Sequence, residues 1–278
     1  MIVNKNNKYW KYILIGIIAT SISTCYSNRK KQNINVVRDL QAIKKEGVLK
    51  VATEYNTLAY YVDADSIKGF HYDLVMAIAA KQGLVAEIVP VMSVSDRIEG
   101  IQKGKYDLIA DDIPITSPLK DSLLLTIPIN RSKQVLVQRK PVEGDTAKFI
   151  KNQLDLAKKT LYVVEDSPAL LRIENLSDEI GDTIYTKEIK KYGSEQLIAL
   201  VAHKEIDYAV CNEDIAQALI DSFPQLDINT EISFNQLYSW AVNKESVELA
   251  DSLNVWLESF MKTSEFKELY NTYYKEKE

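Results

Sequence analysis

The run GVLKVATEY (47–55), followed by GFHYDLVMAIAAKQG (69–83), IEGIQKGKYDLIADDIPIT (98–116) and QVLVQRK (134–140), decides the fold. Residues 48–54 have the short, β-branched apolar character of a strand. Residues 72–82 carry Leu74, Val75 and Ile78 on one helical face and stop at Gly83. A strand at 86–91 leads to a helix that Ser95 is expected to cap, bearing Ile98 and Ile101 and ending at Gly104. Residues 106–110 form a buried strand that runs out into two adjacent carboxylates, Asp111 and Asp112, and 134–138 form another strand. Alternating strands and helices make a sheet-and-helix unit of an open α/β fold. Ligands bind at the carboxyl edge of such sheets, so the paired carboxylates mark the rim of a cleft.

The same grammar continues downstream. A helix is expected at 146–157 and a strand at 161–165, with Pro168 opening the next helix, where its missing N–H costs nothing. A helix at 194–203, a strand at 207–211, a helix at 214–222 and a strand at 236–243 follow. Ser246 is expected to cap a long amphipathic helix with Leu249, Leu253, Trp256, Leu257 and Phe260 at helical spacing. Ser264 starts a last helix whose Phe266, Leu269, Tyr270 and Tyr273 read as packing residues. One internal echo stands out: IQKGKYDLIADD (101–112) lies on VAHKEIDYAVCN (201–212), placing Asp107 on Asp207 and Asp112 on Asn212. Two such units facing each other would hold a ligand between their strand tips.

Composition narrows the partners. The 278 residues, 46% of them hydrophobic, suffice for one large core or two ordinary ones. A net charge of −5 with scattered Lys and Arg argues against nucleic acid. At the start of the chain, Lys5, Lys8 and Lys11 precede a short apolar run at 12–19 and small residues through Thr24, the pattern of a secretory signal. Cys25 follows Ile22-Ser23-Thr24 as an acylated cysteine follows a relaxed lipobox, with an ordinary cleaved signal as the alternative. The reading is therefore a lipoprotein signal over 1–25, a polar, basic tether over 26–35 suited to anionic head groups, and a membrane-anchored protein of the periplasm. Acylation of Cys25 would leave Cys211 unpaired, as a small buried hydrophobe.

The motifs GVLKVAT, GFHYDLVMAIAAKQG, KGKYDLIADDIPIT, QVLVQRK and IDYAVCNED, in this order and spacing, resemble the bacterial extracellular solute-binding proteins of family 3, over about 36–278. Within that group, the Tyr60-Tyr61 pair and Ile206-Asp207-Tyr208 resemble the amino-terminal domain of the membrane-bound lytic transglycosylases F. The sequence ends at Glu278 with no room for a muramidase-type domain, so glycan cleavage is not expected. The resemblance implies a two-lobed periplasmic binding protein type II fold with a hinge and an interlobe cleft. Lobe one would comprise 36–136 plus 235–278 and lobe two 137–234, with crossovers near Gln138 and Asn235. It also implies anchors for an amino acid, a Thr and an Arg on lobe one and an Asp on lobe two. Here the Thr is Thr116, the Arg position holds Leu119 with Lys120 beside it, and the Asp position holds Asn212 with Glu213 next. Lysine lacks the bidentate fork of arginine, and neutral Asn212 is a weaker partner for ammonium.

The remaining candidates come from strand-end logic. Ser167 stands at a helix N-terminus, where it either binds an anion or simply caps. Tyr55, Tyr60 and Tyr61 could wall a ligand. The expected ligand set is thus Tyr55, Tyr60, Tyr61, Asp111, Asp112, Thr116, Lys120, Ser167, Asn212 and Glu213. The acidic tips point to a small polar solute bearing an amine: an amino-acid derivative, a short peptide or a cell-wall fragment. The expectation is a monomeric, non-enzymatic binding protein without metal or cofactor, partnered by an ABC-type permease or by a murein-turnover enzyme that it regulates. The enzyme alternative, a dehydratase on the same fold, would need tuned carboxylates among Asp111, Asp112, Glu165 and Asp166. No His or Arg constellation is expected beside them, and His71 and His203 are read as non-catalytic.

Overall fold

The computed structural model describes residues 36–141, 148–190 and 192–274; the expected signal, tether and Cys25 lie outside them. In chain order the elements are α1 (Leu40–Glu46), β1 (Val48–Thr53), β2 (Tyr61–Asp63), β3 (Ser66–Lys68), α2 (Phe70–Lys81), β4 (Val85–Pro90), α3 (Val94–Gln102), β5 (Leu108–Pro114), α4 (Ser117–Ser122), β6 (Leu123–Leu125), β7 (Asn130–Ser132) and β8 (Gln134–Arg139). Then come β9 (Thr160–Val164), α5 (Ala169–Ile180), β10 (Tyr185–Ile189), α6 (Ser194–Ala202), β11 (Ala209–Asn212), α7 (Glu213–Leu219), β12 (Leu226–Glu231), β13 (Gln236–Asn243), α8 (Val247–Met261) and α9 (Ser264–Tyr273).

Two sheets with their own helices make two α/β lobes. The first has the order β4-β1-β5-β13-β6, with β7 pairing β13, and the second β10-β9-β11-β8-β12. Each is built on a parallel trio, β4-β1-β5 or β10-β9-β11, flanked by an antiparallel strand. That strand arrives by exchange: β8 follows the first trio but pairs with β11, and β13 follows the second trio but pairs with β5. A boundary at 136/137 would cut β8, which lies wholly in the second sheet. Sheet membership moves the crossing to just before Gln134, because the ladder partners of Gln134 and Val135 are Asn212 and Cys211.

The internal echo has a physical basis. Asp107 precedes β5, accepts the Lys50 N–H at 2.8 Å and pairs with Arg38. Asp207 precedes β11 and pairs with Arg139. In both lobes an Asp–Arg pair sits at the amino end of the central strand and a polar residue at its carboxyl end. Apolar layers cover the sheets. Ala52, Ile101, Tyr106, Ile109 and Ile113 pack on one face of the first. Leu161, Val163, Ile173, Tyr208 and Val210 pack on a face of the second. Phe70 is the hub for Phe266, Tyr270, Tyr273 and Tyr274, so the late aromatics are packing residues.

Local signals were misplaced in three places. The cap of α3 is Ser93, whose Oγ accepts the Asp96 N–H at 3.1 Å, and Ser95 lies inside the first turn. The expected helix at 146–157 is, among the described residues, a 3₁₀ turn at Gln153–Leu156 closed by an Asn152–Asp155 capping box. Ser246 precedes α8 but does not cap it; its Oγ donates to the Arg38 carbonyl. The capping oxygens come from Asp39, which accepts from Leu40 N (2.8 Å), Leu249 N (2.7 Å) and Glu248 N (3.1 Å). One carboxylate thus closes the N-termini of α1 and α8. With caps worth roughly 1 kcal/mol each, Asp39→Ala is expected to cost about 2 kcal/mol in urea unfolding, and Ser246→Ala clearly less.

Candidate functional site

The carboxyl ends of β1, β5, β9 and β11 converge on a cavity of ≈ 600 Å³. From the first lobe it is lined by Glu54, the loop residues Asn56, Leu58 and Ala59, the start of α2 at His71, the face of α3 including Arg97, and the β5 tip with Asp111 and Asp112. The second lobe contributes Val164, Asp166 and Ser167 after β9, Ser194 at the start of α6, and Cys211 and Asn212 on β11.

The loop is held by local chemistry. Asn56 Oδ1 accepts from Leu58 N (2.9 Å) and Ala59 N (2.7 Å). The Ala59 carbonyl then accepts from Tyr72 N at 3.0 Å, laying the loop over the first turn of α2. Gly69, at φ 139°, permits that approach, because a Cβ there would sit 2.4 Å from the Ala59 oxygen. His71 is thereby buried, only 1% exposed. Its Nδ1 accepts the Trp240 indole N–H at 3.0 Å, so the proton of the neutral ring sits on Nε2. Nε2 has no hydrogen-bond partner and lies 3.4 Å from Asp112 Oδ1, outside hydrogen-bond geometry.

Beside this pair lies an ionic cluster. Arg97, 2% exposed, reaches Asp111 Oδ2 at 3.0 Å and Glu54 Oε2 at 3.4 Å through Nη2, and its Nη1 donates to the carbonyls of Val91 and Met92. The Glu54 side chain keeps 14% exposure. Burial, and next the charge of Asp111, raise its pKa to about 7, against the opposing pull of Arg97. Burial likewise pushes the Cys211 thiol up to about 12, the behaviour of the inert apolar residue expected there.

Of the expected ligand residues, Asp111, Asp112, Thr116, Ser167 and Asn212 line the cavity together, and so does Leu119. Five do not. Tyr55 is 40% exposed and Tyr60 packs edge-on against Tyr72, 5.6 Å between ring centroids, while Tyr61 starts the β2–β3 hairpin; the Asx turn at Asn56 points Leu58 and Ala59 inward instead. Lys120 is exposed on α4. Glu213 opens α7 with its carboxylate 3.4 Å from Lys133 Nζ. Ser167 Oγ accepts the Ala169 N–H at 3.2 Å, the capping role. Asn212 Oδ1 accepts from Asp214 N (2.9 Å) and Ser132 Oγ (2.8 Å), leaving Nδ2 as the group it can offer.

Glu54, His71 and Arg97 were missed. The expectation of no His or Arg beside the carboxylates is corrected: Arg97 joins Asp111 to Glu54, and His71 faces Asp112. Glu54 could have been found by the strand-end argument already applied to β5. Arg97 and His71 could not, because only tertiary packing turns those helix positions toward the cavity.

Glu195, in the first turn of α6, accepts from Thr57 N at 2.7 Å and from Thr57 Oγ1. Asn130 Nδ2 donates to Asp214 Oδ2 at 3.0 Å, and Gln134 Nε2 to Tyr238 Oη at 3.0 Å. A Cβ on Gly193 would stand 2.9 Å from Met92 Cε and 3.0 Å from Glu54 Oε1. The lobes touch through these contacts across the cavity, the closed arrangement of a clamshell.

Residues 49–276 match the bacterial extracellular solute-binding proteins, family 3, and the chain belongs to that family. The fold is the two-lobed type II fold of periplasmic binding proteins, and a small-molecule binding role is supported. The chain is similar to the membrane-bound lytic murein transglycosylase F of Photobacterium profundum, 25% identical over 239 residues, 86% of this chain and 45% of that protein. It is similar to the same enzyme of Desulfosudis oleivorans, 26% identical over 257 residues, 92% of this chain and 54% of that protein. The chain thus spans about half the length of these relatives. Among solved structures, an ancestral arginine-binding protein bound to arginine is similar, with TM-score 0.70 and 26% identity over 82% of this chain and 98% of that one. Among the described residues, no helix is long and apolar enough to cross a membrane.

The raised pKa of Glu54 has a testable consequence for stability. Between about 4.5 and 7 the unfolded chain gives up this proton while the folded chain keeps it, so this group's contribution to stability falls as pH rises through that window. Glu54→Gln removes the penalty, which approaches ~3 kcal/mol above the window. The melting temperature of the variant relative to wild type is therefore expected to climb from pH 4.5 to 8 and then level off; a constant difference would contradict the assignment.

Proposed function

We propose that this chain is a lipid-anchored, periplasmic solute-binding protein that captures a small amine-bearing solute between its lobes, for an ABC-type permease or for sensing. The observation that carries the reading is the charge of the cavity wall. Five carboxylates line it (Glu54, Glu99, Asp111, Asp112 and Asp166) against one guanidinium, Arg97. Such a wall attracts a cation. The similar ancestral protein bound to arginine is consistent with that choice. The anchor rests on Cys25 behind its apolar leader.

Closure is read as part of binding. The lobes would be residues 36–133 with 234–278, and 134–233, hinged where β7 passes to β8 and β12 to β13. A ligand touching both lobes stabilises the closed state by the contacts it gains there. The Thr57–Glu195 and Asn130–Asp214 pairs would hold the lobes together once the ligand is in place.

A second reading, a non-catalytic module that binds wall fragments and regulates murein turnover, is favoured by the relatives. A binding role is preferred over catalysis because two of the acidic groups, Glu54 and Asp111, are committed to Arg97.

A thermal-shift screen of the full chain against amino acids, simple amines, di- to tetrapeptides and muropeptides tests the reading. Ligand at a hundredfold over Kd adds about 2.7 kcal/mol, a shift of a few degrees. Amines and peptides are expected to give it, and a response to muropeptides alone would favour the second reading. Asp112→Ala and Asn212→Ala should each weaken the responding compound at least tenfold, and unchanged affinity in both would remove the cavity from consideration. Thr57→Val should weaken it about fivefold, the worth of about 1 kcal/mol for the lost hydroxyl, mainly through faster release in stopped-flow measurements.

A further inference from the structure

The wall chemistry narrows the ligand beyond an amine. Among the described lining residues Arg97 is the one cation. Its Nη2 is held by Asp111 and Glu54, and its Nη1 by two backbone carbonyls. Only its buried Nε–H is without a partner, and a single N–H cannot form the two-point fork that grips a ligand carboxylate. Leu119 presents an apolar surface on the same wall, while Lys120, one residue on, is exposed and not part of it.

The groups left over are a donor beside an acceptor. His71 Nε2, buried and without a partner on the cavity wall, is the donor. Asp112 Oδ1, 3.4 Å away, is the acceptor. Any ligand oxygen that receives the His71 proton must sit against the Asp112 carboxylate. An amide carbonyl or a hydroxyl tolerates that neighbour, whereas a carboxylate is repelled at such a distance. Across the cavity, Asn212 repeats the arrangement with a neutral donor. Its Oδ1 is already occupied, so Nδ2 can donate to an acceptor on the ligand but cannot hold an ammonium group. The cation is thereby left to Asp112.

We propose that this cavity selects amines and guanidines that lack a free carboxylate next to the α-amine position, the α-carboxyl being absent or masked as an amide or peptide bond, with Asp112 holding the cation and His71 Nε2 donating to a neutral oxygen where the ligand carries one. The proposal rests on the binding reading above and adds the chemical class of ligand. It also suits Leu119 and Asn212, which stand where the resemblance implies an Arg and an Asp: an amino-acid zwitterion calls for both charges, and an amine without a neighbouring carboxylate for neither.

Calorimetric titration of the full chain with L-argininamide, agmatine and L-arginine tests it. L-Argininamide and agmatine are expected to bind at least tenfold tighter than L-arginine. Asp112→Asn should reduce the affinity for L-argininamide at least tenfold. Leu119→Arg places a guanidinium on the wall and should improve L-arginine at least tenfold while weakening agmatine. L-Arginine binding as tightly as, or more tightly than, its amide would overturn the proposal while leaving a solute-binding cavity intact. So would a response confined to neutral or acidic compounds in the thermal-shift screen. Silence towards every compound in both experiments would overturn this proposal and the binding reading together.

Discussion

A buried guanidinium sets the character of the cavity. Parallel pairing of β1 with β5, Val51 opposite Leu108 and Ala52 opposite Ile109, brings the ends of both strands to one edge. The carboxylates just beyond, Glu54 and Asp111, therefore stand side by side. Without compensation one of them would have to remain protonated. Arg97 enters from α3, the helix between β4 and β5, and spans both. Its position is fixed from two directions, by the Ser93 cap that sets the start of α3 and by the Val91 and Met92 carbonyls that accept Nη1. Two acids against one base still leave an excess, which adds to the effect of burial in raising the pKa of Glu54 to about 7. Removing the guanidinium alone would strand both acids, a change of the kind that costs 3–5 kcal/mol.

The same economy governs the contacts between lobes. Both interlobe carboxylates, Glu195 and Asp214, occupy the first turns of helices, α6 and α7. A negative charge there is favoured by the helix dipole whether the partner lobe is present or not. Opening the clamshell therefore breaks the hydrogen bonds to Thr57 and Asn130 without leaving an unsupported charge. On the binding reading, a small ligand touching both lobes supplies the difference between the open and closed forms.

The fold was legible because it is written in periodic patterns. The strand and helix runs, the Asp107/Asp207 echo and the strand tips all follow from local residue order. Residue order alone does not convey the exchange of β8 and β13 between sheets, since an isolated apolar strand carries no mark of its partner; the discontinuous first lobe was implied by the family resemblance, which misplaced only the β8 crossing. Caps failed for a related reason. Ser95 and Ser246 are the residue types that cap helices, yet Ser93 stands two residues earlier, and Asp39 reaches α8 from over 200 residues away in sequence. In the cavity, Asp111, Asp112 and Asn212 on strand tips were found, Glu54 on the β1 tip was passed over although the same argument reaches it, and His71 and Arg97 on helices were not found. A strand tip has one exit, whereas a helix position can face any side until the tertiary packing is known. The tyrosines erred in the opposite sense: Tyr55, Tyr60 and Tyr61 are conspicuous in the sequence, but the Asx turn at Asn56 directs the smaller Leu58 and Ala59 to the cavity.

The distribution of charge across the cleft has a consequence for the order of events. Its buried and half-buried charges, those of Arg97 and Asp111 and of Glu54 and Asp112, all lie on the first lobe. The second lobe presents Asn212, Ser167 and Ser194, which are neutral, and Asp166, which is exposed. Coulomb attraction acts over several ångströms, whereas a neutral hydrogen bond requires contact. A cation entering an open cleft would accordingly be drawn to the first lobe and oriented there by Asp112 and His71 before the second lobe arrives. The second lobe would then add hydrogen bonds that reward correct shape rather than charge. On the proposed reading, selection by charge thus falls to the first lobe and selection by shape to the second, in keeping with the acids at the β1 and β5 tips and the amide and hydroxyls of Asn212, Ser167 and Ser194.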